Sequence, residues 1–247
     1  MNIKQYLDST YLKTAEQAGI SEAENIGIAT EFIQEAIDEN FKLIMIRPNR
    51  VALAKEMIVE AKSIVQIGTV IDFTEGKSSL EEKLDEAKVA INNGADDLDF
   101  VCNYEAFKNG DIDLVKEEIR ECTALGLLNN KVVKWIIEVA ALNEKEIIQL
   151  SSLIKNVVIS TFQEDCFSKV FVKSSTGFYK TENNLPNGAT IPAIKMMLEN
   201  ASPLPIKAAG GVRTYDEAVA MIKLGVKRIG TSGAKMIANG QKSNDEY

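Results

Sequence analysis

Short apolar runs alternate with longer amphipathic stretches along almost the whole chain. The runs are rich in Val, Ile and Phe and read as strands at residues 6–10, 41–46, 64–70, 97–101, 132–139, 170–174, 204–208 and 226–230. The stretches between them predict helices of about three or four turns. In one, Leu80, Leu84, Ala87 and Ile91 form an apolar stripe, Ser78 and Glu81 a capping box at its start, and Gly94 a left-handed stop. Another begins at a box of Thr214 and Glu217, turns Ala218, Met221 and Ile222 inward and ends at Gly225. Thr190 and Asn143 read as further N-caps. Val115, Ile119 and Cys122 line a helix that should end near Gly126, which makes Cys122 a core residue. Between Asn143 and Lys169 the chain is longer than one helix needs, and an extra turn is expected around residues 157–163.

Eight strands, each followed by a helix, within 247 residues predict a single-domain α/β fold, the (β/α)8 TIM barrel. The barrel would span residues 1–240, with a flexible polar C-terminal tail over 241–247. A doubly wound open sheet is the structural alternative. That fold usually announces itself by a glycine-rich turn after its first strand, and the residues after Thr10 contain none.

Charge and composition narrow the function. There are 36 acidic against 28 basic residues, a net charge of −8, which repels a phosphate backbone and argues against nucleic acid as a partner. No uncharged apolar run approaches the roughly 18 residues of a membrane helix, and the opening residues lack the apolar core of a signal peptide. The expectation is a cytoplasmic protein without a membrane partner. Cys102, Cys122 and Cys166 are odd in number and widely spaced, which fits reduced thiols better than disulfides or a zinc site. Histidine is absent altogether. Serine and cysteine triads and histidine-ligated metals are thereby excluded, no metal is expected, and acid–base chemistry falls to Lys, Asp, Glu or Tyr.

A barrel of this kind carries its active site at the carboxyl ends of its strands. Among the polar residues that end or lie inside the apolar runs, Asp99, Lys134, Lys173 and Lys207 are singled out. Any one such lysine is most simply outward-facing or ion-paired, but three on separate strands point to amine catalysis. An ordinary lysine, with a pKa of ~10.4, is almost wholly protonated at neutral pH and a poor nucleophile. Burial and a second ammonium both lower that value and free the lone pair that attacks a carbonyl. Gly210 and Gly211 follow Lys207, and Gly230, Thr231, Ser232 and Gly233 follow the last strand. Bare amides there, beside Arg213 and Ser232, suit a phosphate group.

The strings ADDLDFVCN (95–103), FVKSSTGF (171–178), IKAAGGVRT (206–214) and RIGTSGA (228–234) together resemble the deoxyribose-phosphate aldolases, class I enzymes that need no cofactor. The likeness runs in order through nearly the whole chain. It implies reversible cleavage of 2-deoxy-D-ribose 5-phosphate to D-glyceraldehyde 3-phosphate and acetaldehyde, both substrate partners being small molecules. Lys173 would be the Schiff-base nucleophile, Lys207 its activator and proton carrier, and Asp99 a proton relay through water. Lys134 would support the site, and Thr176 and Asp8 or Thr10 would lie near sugar hydroxyls. Gly177, Gly210, Gly211, Arg213, Gly230 and Ser232 would surround the phosphate. Tyr247 would reach back on the tail to protonate the enamine carbon, and a homodimer would be in keeping with the family. Ser9 stands where many members carry histidine, and Met45 and Arg47 also depart from the usual residues. Two rivals remain: another lysine-dependent phosphosugar aldolase, and a noncatalytic phosphosugar-binding barrel.

Overall fold

The computed structural model describes residues 1–182 and 185–241. Among them, eight parallel strands close into a barrel: β1 (Leu7–Tyr11), β2 (Leu43–Ile46), β3 (Gln66–Ile71), β4 (Asp97–Val101), β5 (Val132–Ile136), β6 (Val170–Lys173), β7 (Ile206–Ala209) and β8 (Arg228–Thr231). Each strand pairs with its neighbour in sequence, and β8 closes on β1 through Asp8 opposite Gly230. The expected TIM barrel is the fold observed. No described helix is long and apolar enough to cross a membrane.

The strands read as continuous apolar runs because both faces are covered. Outward residues such as Ile44, Ile67, Leu98, Val133 and Ile229 are buried against the helices, where most of the apolar core lies. A smaller cluster of Leu12, Leu43, Met45 and Val70 fills one side of the interior. The other side of the interior is polar and carries the candidate site.

Several boundaries differ from the sequence expectation for identifiable reasons. The capping box of the helix Leu80–Asn92 is Ser79 with Glu82, one residue later than expected. Ser78 fits the same spacing, but its hydroxyl is taken by Asp72 Oδ1 at 2.8 Å. The helix Ile112–Leu128 runs past Gly126. That glycine serves close packing instead, since a Cβ there would lie 2.3 Å from Val133 Cγ2. The fifth strand stops at Ile136, because Glu138 turns into the left-handed region (φ 53°) and a 3-10 turn follows. Asn143, Thr190 and Thr214 cap helices as expected, each accepting from a backbone N–H in the first turn. Such a cap contributes about 1 kcal/mol. The extra length before β6 extends the helix Glu144–Thr161 and adds a 3-10 segment, Glu164–Lys169.

Candidate active site

Strand alternation aims Asp8, Asp97, Asp99, Lys134, Lys173, Lys207 and Arg228 into the barrel, where all are buried. Their side chains form a closed ring of alternating charge. Arg228 contacts Asp8 at 2.6 Å, Asp8 contacts Lys207 at 2.6 Å and Lys207 contacts Asp99 at 2.9 Å. Asp99 then meets Lys134 at 2.7 Å, Lys134 meets Asp97 at 2.6 Å, and Asp97 returns to Arg228 at 3.4 Å. Lys173 hangs on this ring from outside, with Nζ 3.0 Å from Asp99 Oδ2. The same oxygen accepts from Lys207, so the two amines lie within about 6 Å of each other.

The electrostatics follow from this arrangement. Within the ring three carboxylates face three cations, and Lys173 adds a fourth cation with no carboxylate of its own. Burial is the larger cause lowering the Lys173 pKa, and Lys207 and Lys134 add to it against the pull of Asp99. The result is a value of about 8. For Asp99 burial acts upward, but the ammoniums of Lys134, Lys173 and Lys207 outweigh it and hold the carboxyl well below the usual range. Asp8 is likewise lowered against burial by Arg228 and Lys207. Lys134 is raised, since Asp97 and Asp99 overcome its burial. Lys173 is 3% exposed whereas Lys134 and Lys207 are 0%. Of the three, Lys173 alone retains any exposure to solvent.

Among the cavities at the carboxyl ends of the strands, two border the segments that follow Lys173 and Lys207. The first, about 810 Å³, is lined by Thr176, Glu138, Tyr104, Lys13, Phe178 and Asn187 among others. The second, about 680 Å³, is lined by Gly177, Gly188, Thr190, Gly210, Gly211 and Arg213. Gly177 and Asn187 border both. The second cavity offers backbone amides, one guanidinium and the N-terminus of the helix Ile191–Ala201, a setting for an anion. Phe73 packs edge-on against Phe178 at 5.2 Å and carries the Arg47 guanidinium 4.7 Å above its ring.

The sequence-predicted residues divide among these places. Lys173, Lys207, Asp99, Lys134 and Asp8 come together inside the barrel, and Gly177, Gly210, Gly211 and Arg213 line the second cavity. Thr10 is buried and donates to the Asp8 carbonyl at 2.8 Å. The Thr176 hydroxyl donates to Glu138. Gly230 sits beneath Lys207, where a Cβ would lie 3.2 Å from Lys207 Cε. Ser232 is half-buried and lines neither cavity. Tyr247 and most of the expected tail lie outside the described residues. Three participants were not foreseen. Asp97 was findable, since it precedes Asp99 by two and alternation turns both inward. Arg228 stands two before Gly230 in the same way. Glu138 was a charge inside the run read as a strand over 132–139, four residues after Lys134, although the strand itself ends at Ile136 and Glu138 turns left-handed beyond it.

Among the described residues no group of three or more acidic, cysteine or histidine side chains is placed to hold a metal ion. The barrel carboxylates face lysine and arginine instead.

Fold and site together define a TIM barrel with a lysine amine, lowered in pKa and paired to a buried aspartate, at the carboxyl ends of its strands. No family model matches the chain. It is 37% identical over 98% of its length to a deoxyribose-phosphate aldolase from Thermococcus gammatolerans, of which it covers 98%. It is 36% identical over the full length of both chains to a deoxyribose-phosphate aldolase from Lactococcus lactis subsp. cremoris. Among solved structures it superposes on an aldolase called QR15 with a TM-score of 0.79 and 30% identity, covering 97% of this chain and 95% of that one. The chain belongs to the deoxyribose-phosphate aldolase family, and it is an enzyme of the lyase class.

Proposed function

We propose that the enzyme reversibly cleaves 2-deoxy-D-ribose 5-phosphate into D-glyceraldehyde 3-phosphate and acetaldehyde through a Schiff base on Lys173. The observation that carries this reading is the shared contact of Lys173 and Lys207 on Asp99 Oδ2. It supplies a nucleophile of lowered pKa, a neighbouring ammonium and an anion that bridges them.

The neutral Lys173 amine adds to the C1 carbonyl of the open-chain sugar, and the carbonyl oxygen takes a proton to give a carbinolamine. Loss of water leaves the protonated imine. Removal of the C3 hydroxyl proton then breaks the C2–C3 bond, and its electron pair moves into the iminium. D-glyceraldehyde 3-phosphate departs and an enamine remains. Protonation of the enamine carbon and hydrolysis of the imine release acetaldehyde and restore the amine. Lys207 and water carry the protons, and Asp99 stays ionised and holds both amines in line. The sugar phosphate sits in the cavity of Gly210, Gly211 and Arg213.

The test is trapping with borohydride in the presence of acetaldehyde, followed by digestion. An ethyl adduct on the peptide containing Lys173 is expected. An adduct on another lysine, or none, defeats the assignment. Production of D-glyceraldehyde 3-phosphate from the deoxy sugar phosphate, but not from ketose phosphates, distinguishes this donor from that of other lysine-dependent aldolases.

A further inference from the structure

Glu138 is a buried carboxylate that the reaction as written leaves unused. It lies two residues beyond β5, is 1% exposed, and holds a left-handed backbone (φ 53°). Strained conformations of this kind cluster where the surroundings impose a functional geometry. Its oxygens accept from Ser175 Oγ at 2.6 Å, from the Thr176 backbone N–H at 3.1 Å, and from the Thr176 hydroxyl. Every one of these donors lies two or three residues after Lys173.

The chain around Lys173 is fastened on its other side as well. Ser174 Oγ donates to the Ala209 carbonyl at 2.7 Å and accepts from the Ala209 N–H at 2.9 Å, which ties the turn to β7. The carbonyls of Lys173 and Ser174 accept from Ile137 and Val139, on either side of Glu138. Burying a carboxylate among neutral hydroxyls is unfavourable, and a turn needing only hydrogen bonds is made more cheaply by neutral groups. Glu138 also lines the larger cavity, directly beside the turn that carries the nucleophile.

We propose that Glu138 is a positioning residue of the reaction: by gripping Ser175 and Thr176 it fixes the turn after Lys173 and holds the amine where it attacks the sugar carbonyl. The proposal rests on the aldolase reading above. Its effect belongs to kcat, because a displacement of about 1 Å in a reacting group costs up to about a hundredfold in rate. The phosphate cavity, which does not include Glu138, governs KM.

Two variants release the grip from opposite sides: Glu138→Ala, and the pair Ser175→Ala with Thr176→Val. Cleavage kinetics are measured with the rate of borohydride-trapped acetaldehyde on Lys173, and circular dichroism checks the fold. Each variant should lose at least tenfold in kcat and in trapping rate, with KM within threefold of the parent. Combining them should be no worse than either alone, and Glu138→Gln, which keeps one carbonyl acceptor, should recover part of the loss. Rates within twofold of the parent, losses that multiply in the combination, or a rise in KM alone would overturn the proposal. If Glu138→Ala does not fold, Glu138→Gln and the hydroxyl pair make the same comparison. A parent enzyme that neither traps acetaldehyde nor cleaves the sugar refutes the aldolase reading itself, whereas an active parent with indifferent variants refutes only the role of Glu138.

Discussion

Lys173 and Lys207 meet on a single oxygen atom, Asp99 Oδ2, at 3.0 and 2.9 Å. Two amines from adjacent strands are thus brought within about 6 Å by a carboxylate two strands away from the nearer of them. One carboxylate oxygen does not neutralise two ammoniums, and the Lys173 pKa falls under burial and the neighbouring cations.

The first consequence is a pH dependence. With a pKa of about 8, Lys173 is neutral in about one molecule in ten at pH 7, against fewer than about one in a thousand for an ordinary lysine. The trapping rate with acetaldehyde should rise with pH and level off above about 8. Lys207→Leu removes a neighbouring cation, so the midpoint should move upward and the rate at pH 7 should fall at least tenfold. A midpoint that moves down or stays fixed contradicts the activation.

Asp99 is also a stability residue. Asp99→Leu leaves Lys134, Lys173 and Lys207 sharing a buried site without their common anion, and removing one partner of a buried ion pair typically costs about 3–5 kcal/mol. Urea unfolding at pH 7 should register a loss of that order together with loss of turnover. The folded carboxyl has its pKa below the unfolded value, so its contribution is complete above the unfolded pKa. It should fade as pH falls below about 4, through the folded value. The variant should therefore show a weaker loss of stability on acidification than the parent.

Gly230→Ala tests the space under Lys207. The added methyl would lie 3.2 Å from Lys207 Cε and 3.3 Å from Ala209 Cβ, so the lysine must shift. The expected outcome is a kcat lowered roughly ten- to a hundredfold with a melting temperature changed by only a few degrees. Unchanged kcat would mean that the Lys207 position does not control the chemistry.

Arg213→Ala tests the second cavity. If the guanidinium holds phosphate by charge-assisted hydrogen bonds, KM for 2-deoxy-D-ribose 5-phosphate should rise about tenfold or more. Cleavage of unphosphorylated 2-deoxy-D-ribose should stay as it was. Equal losses on both sugars would take Arg213 out of phosphate recognition.

The local pattern carried much of this. Alternating apolar runs and capped amphipathic stretches reached the barrel because strand and helix periodicities are properties of neighbouring residues. The lysines of β5, β6 and β7 stand out as charges inside apolar runs, and the absence of histidine leaves amines and carboxyls to carry acid–base chemistry. The capping serine went astray by one position because two adjacent serines satisfy the same spacing and only Asp72, six residues from Ser78, chooses between them.

The charge ring and the grip of Glu138 belong to the tertiary structure. Asp8 and Arg228 stand 220 positions apart and meet only because the barrel closes β8 onto β1. Asp8 is held by Lys207 and Arg228, and the Thr176 hydroxyl by Glu138. Sequence by itself determined which residue types line the barrel, since that needs only a period of two along each strand. Closure, register and burial decided which charges pair, and burial together with the neighbouring cations lowers the Lys173 pKa, because desolvation and Coulomb interactions depend on contacts and distances that no local pattern encodes.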